Sequence, residues 1–453
     1  IHTVFRRISI GYFMMTAWAE RNSPNSFRFW GSLMVLLCFL IGIVVYGGSR
    51  YSFGVFMKPM AESMGWTRTQ VSLAVTIHLI SYALLSPIIG RLYDTIGMRK
   101  VMITGSVLLS AALCGMIFVD SLWLFYLLYG VVAAFGSNAA GRLASATIVA
   151  NWFIKQRGLM MGITAVAVGV GTAIMAPMTR QLLDAFGWRM AFVAIGLLTA
   201  VLVLLPIILI VKGHGRPEDR GFGADGAALA TANLSEQDLV EQVAKSDNWT
   251  TSEALRTKAF YAIAIVTGLI FIADYMVLLH STADFEDRGL TGSTAVSLLS
   301  LITLSSVIGR IGFGLLADRI NMKAGFGLFL GLQLIAMPLI IVGGTDTNLL
   351  YLFAVLFGLG YAGAAVFVPF IVADYFGTTN FGSIFGLVTM GAALSGAVGG
   401  VLGGWIFDTH NNYQLAWYFC AIAQGLAIVI IYTAGGRPRR KSTYVSSTSD
   451  TTY

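Results

Sequence analysis

Apolar residues run along this chain in blocks of roughly 20 or more positions, each long enough as a helix to cross a hydrocarbon layer about 30 Å thick. Twelve such windows are expected, at residues 30–57, 70–92, 101–119, 122–150, 157–183, 189–212, 258–281, 293–317, 324–343, 348–376, 381–407 and 413–434. Twelve crossings return the chain to the side on which it started, so both termini share one face. The pattern predicts an all-α polytopic membrane protein.

The blocks repeat. An offset of about 224 residues carries "GRLYDTIGMRK", from Gly90, onto "GLLADRINMK", from Gly314, with Asp94 answering Asp318. It also sets "NWF", ending at Phe153, against "DYF", ending at Phe376, Gly162 against Gly386 and Asp184 against Asp408. Six helices are therefore present twice in parallel orientation. The expected division is a tail over 1–28, a six-helix bundle over 29–212, a loop over 213–257, a second bundle over 258–434 and a tail over 435–453. In the loop, "GRPEDRGFGADG" reads as irregular, whereas Thr250 and Glu253 fit a capping box that opens a short helix before span seven. Two such bundles related by an axis along the membrane normal are an architecture of transporters whose substrate site lies near mid-membrane between the halves.

Composition sharpens this picture. The chain is 57% hydrophobic and 11% charged with a mean hydropathy of +0.77, which excludes a soluble core. Lys and Arg concentrate in the loops on the terminus side, which predicts that both termini are cytoplasmic. The net charge of +7 thus reflects topology, and no basic stripe interleaved with aromatics invites a nucleic acid. Cys38, Cys114 and Cys420 all fall in spans and build neither a disulfide framework nor a metal site. The segment before Phe29 lacks a signal-peptide cleavage pattern, and the first span can itself serve as the targeting signal. Asn233 and Asn248 match the glycosylation pattern, but on a cytoplasmic loop that match is chance.

"GRLYDTIGMRK" resembles the loop 2–3 signature of the major facilitator superfamily, fitted by Gly90, Leu92, Asp94, Gly97, Arg99 and Lys100. The resemblance implies that this cluster latches one conformation, with Asp318 as its counterpart in the second half. Asp94 near the end of span two is placed to meet a cation or a helix N-terminus of a neighbour. "WFIKQRGLMMGITAVAVGVG", from Trp152, is similar to the span-five signature of monocarboxylate transporters through Phe153, Lys155, Arg157, Leu159 and Gly162. "YSFGVFMKPMAESMGWTRTQVS" and "RPEDRG" also resemble bacterial members of the monocarboxylate and oxalate/formate group.

Charged groups inside spans are expensive and commonly face a cavity or a partner. The candidates are Arg50, His78, Arg142, Asp274 and Arg310. Arg310 lies eight positions before Asp318, about 12 Å along a helix, well within the membrane. The family resemblance places an Arg there with an Asp four residues earlier, where this chain has Ser306. A guanidinium grips a carboxylate bidentately, so Arg310 is the first candidate for substrate anchor. The repeat offset carries Arg50 onto Asp274 and Tyr51 onto Tyr275. The two charges are therefore candidates for a gate across the pseudo-symmetry axis, closing the outer mouth in the inward-facing state. A substrate carboxylate that took Arg50 would leave Asp274 to accept a proton; the plainer alternative is a permanent ion pair. His78 is either a second proton site or a packed core histidine. Arg142 either meets substrate or pairs with a loop, and Asn138, Tyr51, Tyr275, Tyr361 and Phe367 are candidates for the remaining wall. The Gly-rich run from Gly391 reads as close helix packing rather than a phosphate loop.

The resemblance implies a secondary transporter of small organic monocarboxylates, lactate- or pyruvate-like, with proton symport by alternating access in a plasma or bacterial inner membrane. It requires no cofactor, and a monomer in the bilayer is expected. A carboxylate exchanger of the oxalate/formate type is the alternative, although span eleven lacks a basic residue. A transporter-like membrane sensor is the alternative of another class. No nucleophile with its base, metal-ligand spacing or nucleotide motif argues for an enzyme.

Overall fold

The computed structural model describes residues 24–226, 249–434 and 436–438. Asn233, Asn248 and most of both tails lie outside the described residues, as does the side chain of Tyr51. Among the described residues, eleven helices are long and apolar enough to cross a membrane. One of them, Arg157–Ile210, is two spans in a single run, because Gly187 sits at φ 78° and ψ 168° and turns the chain between them. The twelve spans are α1 (Phe27–Met64), α2 (Arg68–Ile96), α3 (Met98–Phe118), α4 (Leu122–Trp152), α5 (157–186), α6 (188–210), α7 (Lys258–Asp287), α8 (Gly292–Ala317), α9 (Met322–Val342), α10 (Thr347–Phe376), α11 (Phe381–His410) and α12 (Gln414–Thr433).

Local chemistry starts and stops these helices. Thr67 and Gln70 form a capping box at α2, and Thr257, Thr291, Asn321 and Asp346 cap α7 to α10. The short helix Thr251–Ala254 has the expected box, Thr250 Oγ1 accepting from Glu253 N at 3.2 Å while Glu253 Oε2 accepts from Thr250 N at 2.8 Å. Large apolar side chains point outward along the spans, Val401 at 75% and Val342 at 71% exposure among them. A bilayer accounts for that surface, because such residues have no reason to leave water-filled surroundings uncovered.

The fold is two six-helix bundles, α1–α6 and α7–α12. Most contact between them runs through α2 against α11 and α5 against α8. These helices meet near the face on which the described chain begins and ends, here called the terminal face. Small residues let the backbones close: Gly90 faces Gly382 and Gly158 faces Gly314, and a Cβ on Gly158 would stand 2.8 Å from Gly314 O. The Gly-rich run of α11 packs as the sequence suggests, with Gly396, Gly399 and Gly403 set against Tyr275, Ile272 and His280 of α7.

Three spans depart from the continuous helices expected, α6 only through a short π-helical turn at Ala200–Leu204. α4 breaks after Ala139: Ala140 lies at φ −120°, ψ 20° and Gly141 at φ −111°, ψ −138°, and a new helix starts at Arg142. α1 widens into a π-helical stretch over Gly42–Tyr51, which ends on Arg50 and Tyr51. Such local departures inside membrane helices recur where backbone lines a cavity.

Candidate functional site

Two adjoining cavities lie between the bundles. The first, about 110 Å³, is lined by Tyr46 of α1, Arg142 and Ser145 of α4, Ala165 of α5, Asp274 and Tyr275 of α7, Arg310 of α8 and Tyr361 of α10. The second, about 70 Å³, is lined by Arg50, Tyr82 of α2, Thr267 of α7 and Thr389 of α11, with Tyr46, Arg142, Phe271 and Tyr275 shared between the two. The predicted Arg50, Arg142, Asp274, Arg310 and Tyr275 are therefore gathered into one polar centre drawn from both halves.

Arg310 is held from across the interface. Its Nη1 donates to Ala165 O at 3.1 Å, and its Cζ stands 5.9 Å from the centroid of Tyr361. Arg50 lies against two tyrosines, its Cζ 5.0 Å from the Tyr82 ring centroid and 5.8 Å from that of Tyr46. A guanidinium on an aromatic face gains favourable electrostatics from the ring. Tyr46 OH and Tyr82 OH are 2.9 Å apart, and Tyr46 OH also accepts from Arg142 N at 3.1 Å. Tyr46 therefore satisfies the first N–H of the broken α4 and places Arg142 at the junction of the cavities.

Asp274 is 2% exposed, and its Oδ1 accepts from Gln333 Nε2 of α9 at 2.7 Å. That bond, rather than an Arg50–Asp274 contact, is what this conformation makes. The gate is an expectation for the state closed at the opposite face, whereas here the terminal face is shut. Gln333 is a site residue that sequence reading passed over; its signal is a lone amide in the otherwise apolar "GLFLGLQLIAMPLII".

Two candidates sit behind the walls. His78, 1% exposed, places Nδ1 2.9 Å from Tyr129 O and Nε2 3.3 Å from Ser137 Oγ, and it lines neither cavity. Asn138 Nδ2 donates to Tyr82 O at 2.7 Å and to Ser86 Oγ at 2.8 Å, bracing α2 against α4.

The motif residues form contacts at the terminal face. Asp94 Oδ2 accepts from Ser383 N at 2.8 Å, at the start of α11 in the other half. Asp318 accepts from Gly158 N at 2.7 Å and Leu159 N at 3.0 Å, at the start of α5. Each carboxylate meets a helix N-terminus, where backbone N–H groups and the helix dipole favour negative charge. Burial raises the affinity of Asp318 for its proton above the ordinary carboxylate range, although the two N–H donors oppose this. Gly97, at φ 96°, turns the chain into α3, Arg99 Nη2 donates to Ile208 O at 3.0 Å at the end of α6, and Lys100 is exposed. The connecting loop joins the same face, with Arg216 Nη2 donating to Thr379 O at 3.0 Å across the halves.

Two helical bundles enclosing a charged cavity, braced together on one side of it, define a membrane carrier. A family model described as "Major Facilitator Superfamily" matches residues 39–357 and 313–451, and the chain belongs to that family. It is 26% identical over 427 residues to the "Uncharacterized MFS-type transporter YcxA" of Bacillus subtilis (strain 168), covering 90% of this chain and 95% of that one. It is 27% identical over 392 residues to "Monocarboxylate transporter 13" of Rattus norvegicus, covering 86% and 85%. Among solved structures it resembles FucP in the outward conformation, the E. coli fucose:proton symporter, with a TM-score of 0.66, 14% identity and coverage of 90% and 99%. It also resembles the proton:xylose symporter XylE bound to 6-bromo-6-deoxy-D-glucose, with a TM-score of 0.68, 12% identity and coverage of 91% and 96%. At those identities the likeness shows the fold. The family and the relatives are transporters, and the chain is a multi-pass membrane transporter rather than an enzyme.

Proposed function

We propose that this transporter carries small organic monocarboxylates, lactate- or pyruvate-like, together with a proton across a cell membrane by alternating access. The observation that supports it most is that Arg310 and Asp274 line one small cavity between the halves. Arg310 offers a carboxylate a charge-assisted, two-pronged hydrogen bond. Asp274, held by Gln333, is the proton carrier in place of the carboxylate that Ser306 does not supply. Tyr275 and Tyr361 close the apolar side of the cavity around a short carbon chain, and Arg142 faces the anion from the broken helix. The names of the relatives among monocarboxylate transporters support the same substrate class.

With both termini cytoplasmic, the bundles over 29–212 and 258–434 rock about this cavity. The Asp94 and Asp318 contacts hold the cytoplasmic side shut. Their release opens that side, while approach of α1 to α7 brings Arg50 to Asp274 and closes the outer mouth.

Uptake of a panel of labelled carboxylates into proteoliposomes, with and without an imposed pH gradient, tests the proposal. Gradient-stimulated uptake of lactate or pyruvate that Arg310→Ala abolishes is the expected result. Exchange indifferent to the gradient would replace symport by a carboxylate exchanger, and no carboxylate uptake at all would overturn the substrate class.

A further inference from the structure

We propose that the second cavity is a carboxylate subsite of its own, in series with the Arg310 cavity, so that two monocarboxylate anions occupy the carrier at once. This rests on the carboxylate reading of the first cavity and extends it.

The lining of the second cavity is the first argument. Arg50 and Arg142 contribute two guanidinium groups, and no Asp or Glu is among the lining residues. A lining that carries two guanidinium groups and no carboxylate of its own favours anions, the more so at membrane depth where water screens poorly. Its polar groups are also poised for a ligand. Thr267 is 1% exposed, and its Oγ1 is buried with no hydrogen-bond partner in the protein. A hydroxyl left so inside a protein is costly, and an anion in the cavity would give its proton an acceptor. Thr389 of α11, which packs beside α7, brings a second hydroxyl to the same lining.

The relation between the cavities is the second argument. Tyr46, Arg142, Phe271 and Tyr275 line both, and the Phe271 and Tyr275 rings stack at 6.2 Å. The cavities therefore adjoin, with aromatic side chains common to both, and an anion would pass between them by displacing those rings. At about 110 and 70 Å³, each takes a group of only a few heavy atoms.

Charge supplies the third. Together the two linings hold Arg50, Arg142, Arg310 and Asp274, three cations against one carboxylate. Two monoanions offset two of the three cations, and Asp274 offsets the third until it takes the proton that accompanies transport. The Arg310 position then acts as the transported site, and the Arg50 position as a waiting site from which the next anion moves inward.

Equilibrium binding of radiolabelled lactate to the purified full chain in detergent tests this. Wild-type protein should bind two lactates with unequal affinity. Arg50→Gln should bind one with the tighter affinity unchanged, and Arg310→Gln should bind one with only the weaker affinity. The double variant Thr267→Val/Thr389→Val, which keeps every charge and so guards against a folding artefact, should retain two sites and weaken only the looser one about tenfold. One lactate per wild-type chain, with Arg50→Gln and the threonine variant binding as wild type, would overturn the second subsite and leave the Arg310 reading standing. Two sites persisting in Arg310→Gln would instead overturn that reading, and no lactate binding by wild type would overturn both.

Discussion

The clamp at the terminal face obeys the internal repeat to the residue, and the cavity does not. Asp94 accepting from Ser383 N corresponds, after the repeat offset, to Asp318 accepting from Leu159 N. The glycines follow suit: a Cβ on Gly386 would meet Ser86 O at 2.6 Å, and its counterpart Gly162 lies against Arg310 O. In the cavity the same offset pairs Arg50 with Asp274, Arg310 with Ser86 and Arg142 with Val366. The contacts that hold two halves in register keep their symmetry because each half must dock on the other in the same way. The groups that line the cavity lose it, as the proposed anion and proton would need different partners on the two sides.

The largest expected contrast lies between Arg310 and its counterpart. Arg310→Ala should lower carboxylate uptake about 100-fold or more, the loss of a charge-assisted contact in a desolvated site. Ser86→Ala should change uptake less than about threefold, since Asn138 keeps Tyr82 O as an acceptor. Comparable losses in the two variants, measured as initial rates in proteoliposomes, would erase the distinction.

The clamp should answer symmetrically. Asp94→Ala and Asp318→Ala should each move the conformational equilibrium about tenfold toward an open terminal face, since each leaves helix-start N–H groups without their acceptor, a loss of about 1–3 kcal/mol. Pulsed EPR distances between spin labels at Lys100 and Arg319 read that equilibrium, and a shift in only one variant would break the symmetry. Gly162→Ala and Gly386→Ala should shift it the same way by a few-fold each, as a methyl group pushes on the facing carbonyl. The smallest effect concerns pH. Because burial raises the proton affinity of Asp318 in the shut clamp, that state binds more protons than one with Asp318 in water. Acidification through the range of this group should therefore favour the shut clamp, and Asp318→Asn should reduce that dependence.

The sequence made much of this visible, unevenly. Block length and the repeat disclosed twelve spans, two halves and the equivalence of Asp94 with Asp318, because hydrophobic length and duplication are written in residue types. The partners of those carboxylates were not legible, since Ser383 N and Leu159 N are backbone donors exposed by helix starts. Arg50, Arg142, Asp274 and Arg310 stood out because a charge inside an apolar run is conspicuous. What each touches was harder to read: Asp274 meets an amide 59 positions away, and that pairing depends on how α9 packs against α7. The break in α4 was hidden because "GSNAAGRLASAT" is small and weakly polar, compatible with continuous helix or with a kink. His78 illustrates the reverse: its residue type suggests proton chemistry, but both ring nitrogens face groups of the α2–α4 interior.

The central claim is that Asp274 carries the proton that accompanies a carboxylate bound at Arg310. The direct measurement is lactate transport by Asp274→Asn in proteoliposomes, comparing accumulation driven by a pH gradient with lactate–lactate exchange at equal pH. The account predicts that accumulation is lost while exchange persists. Gradient-driven accumulation at the wild-type rate would contradict it.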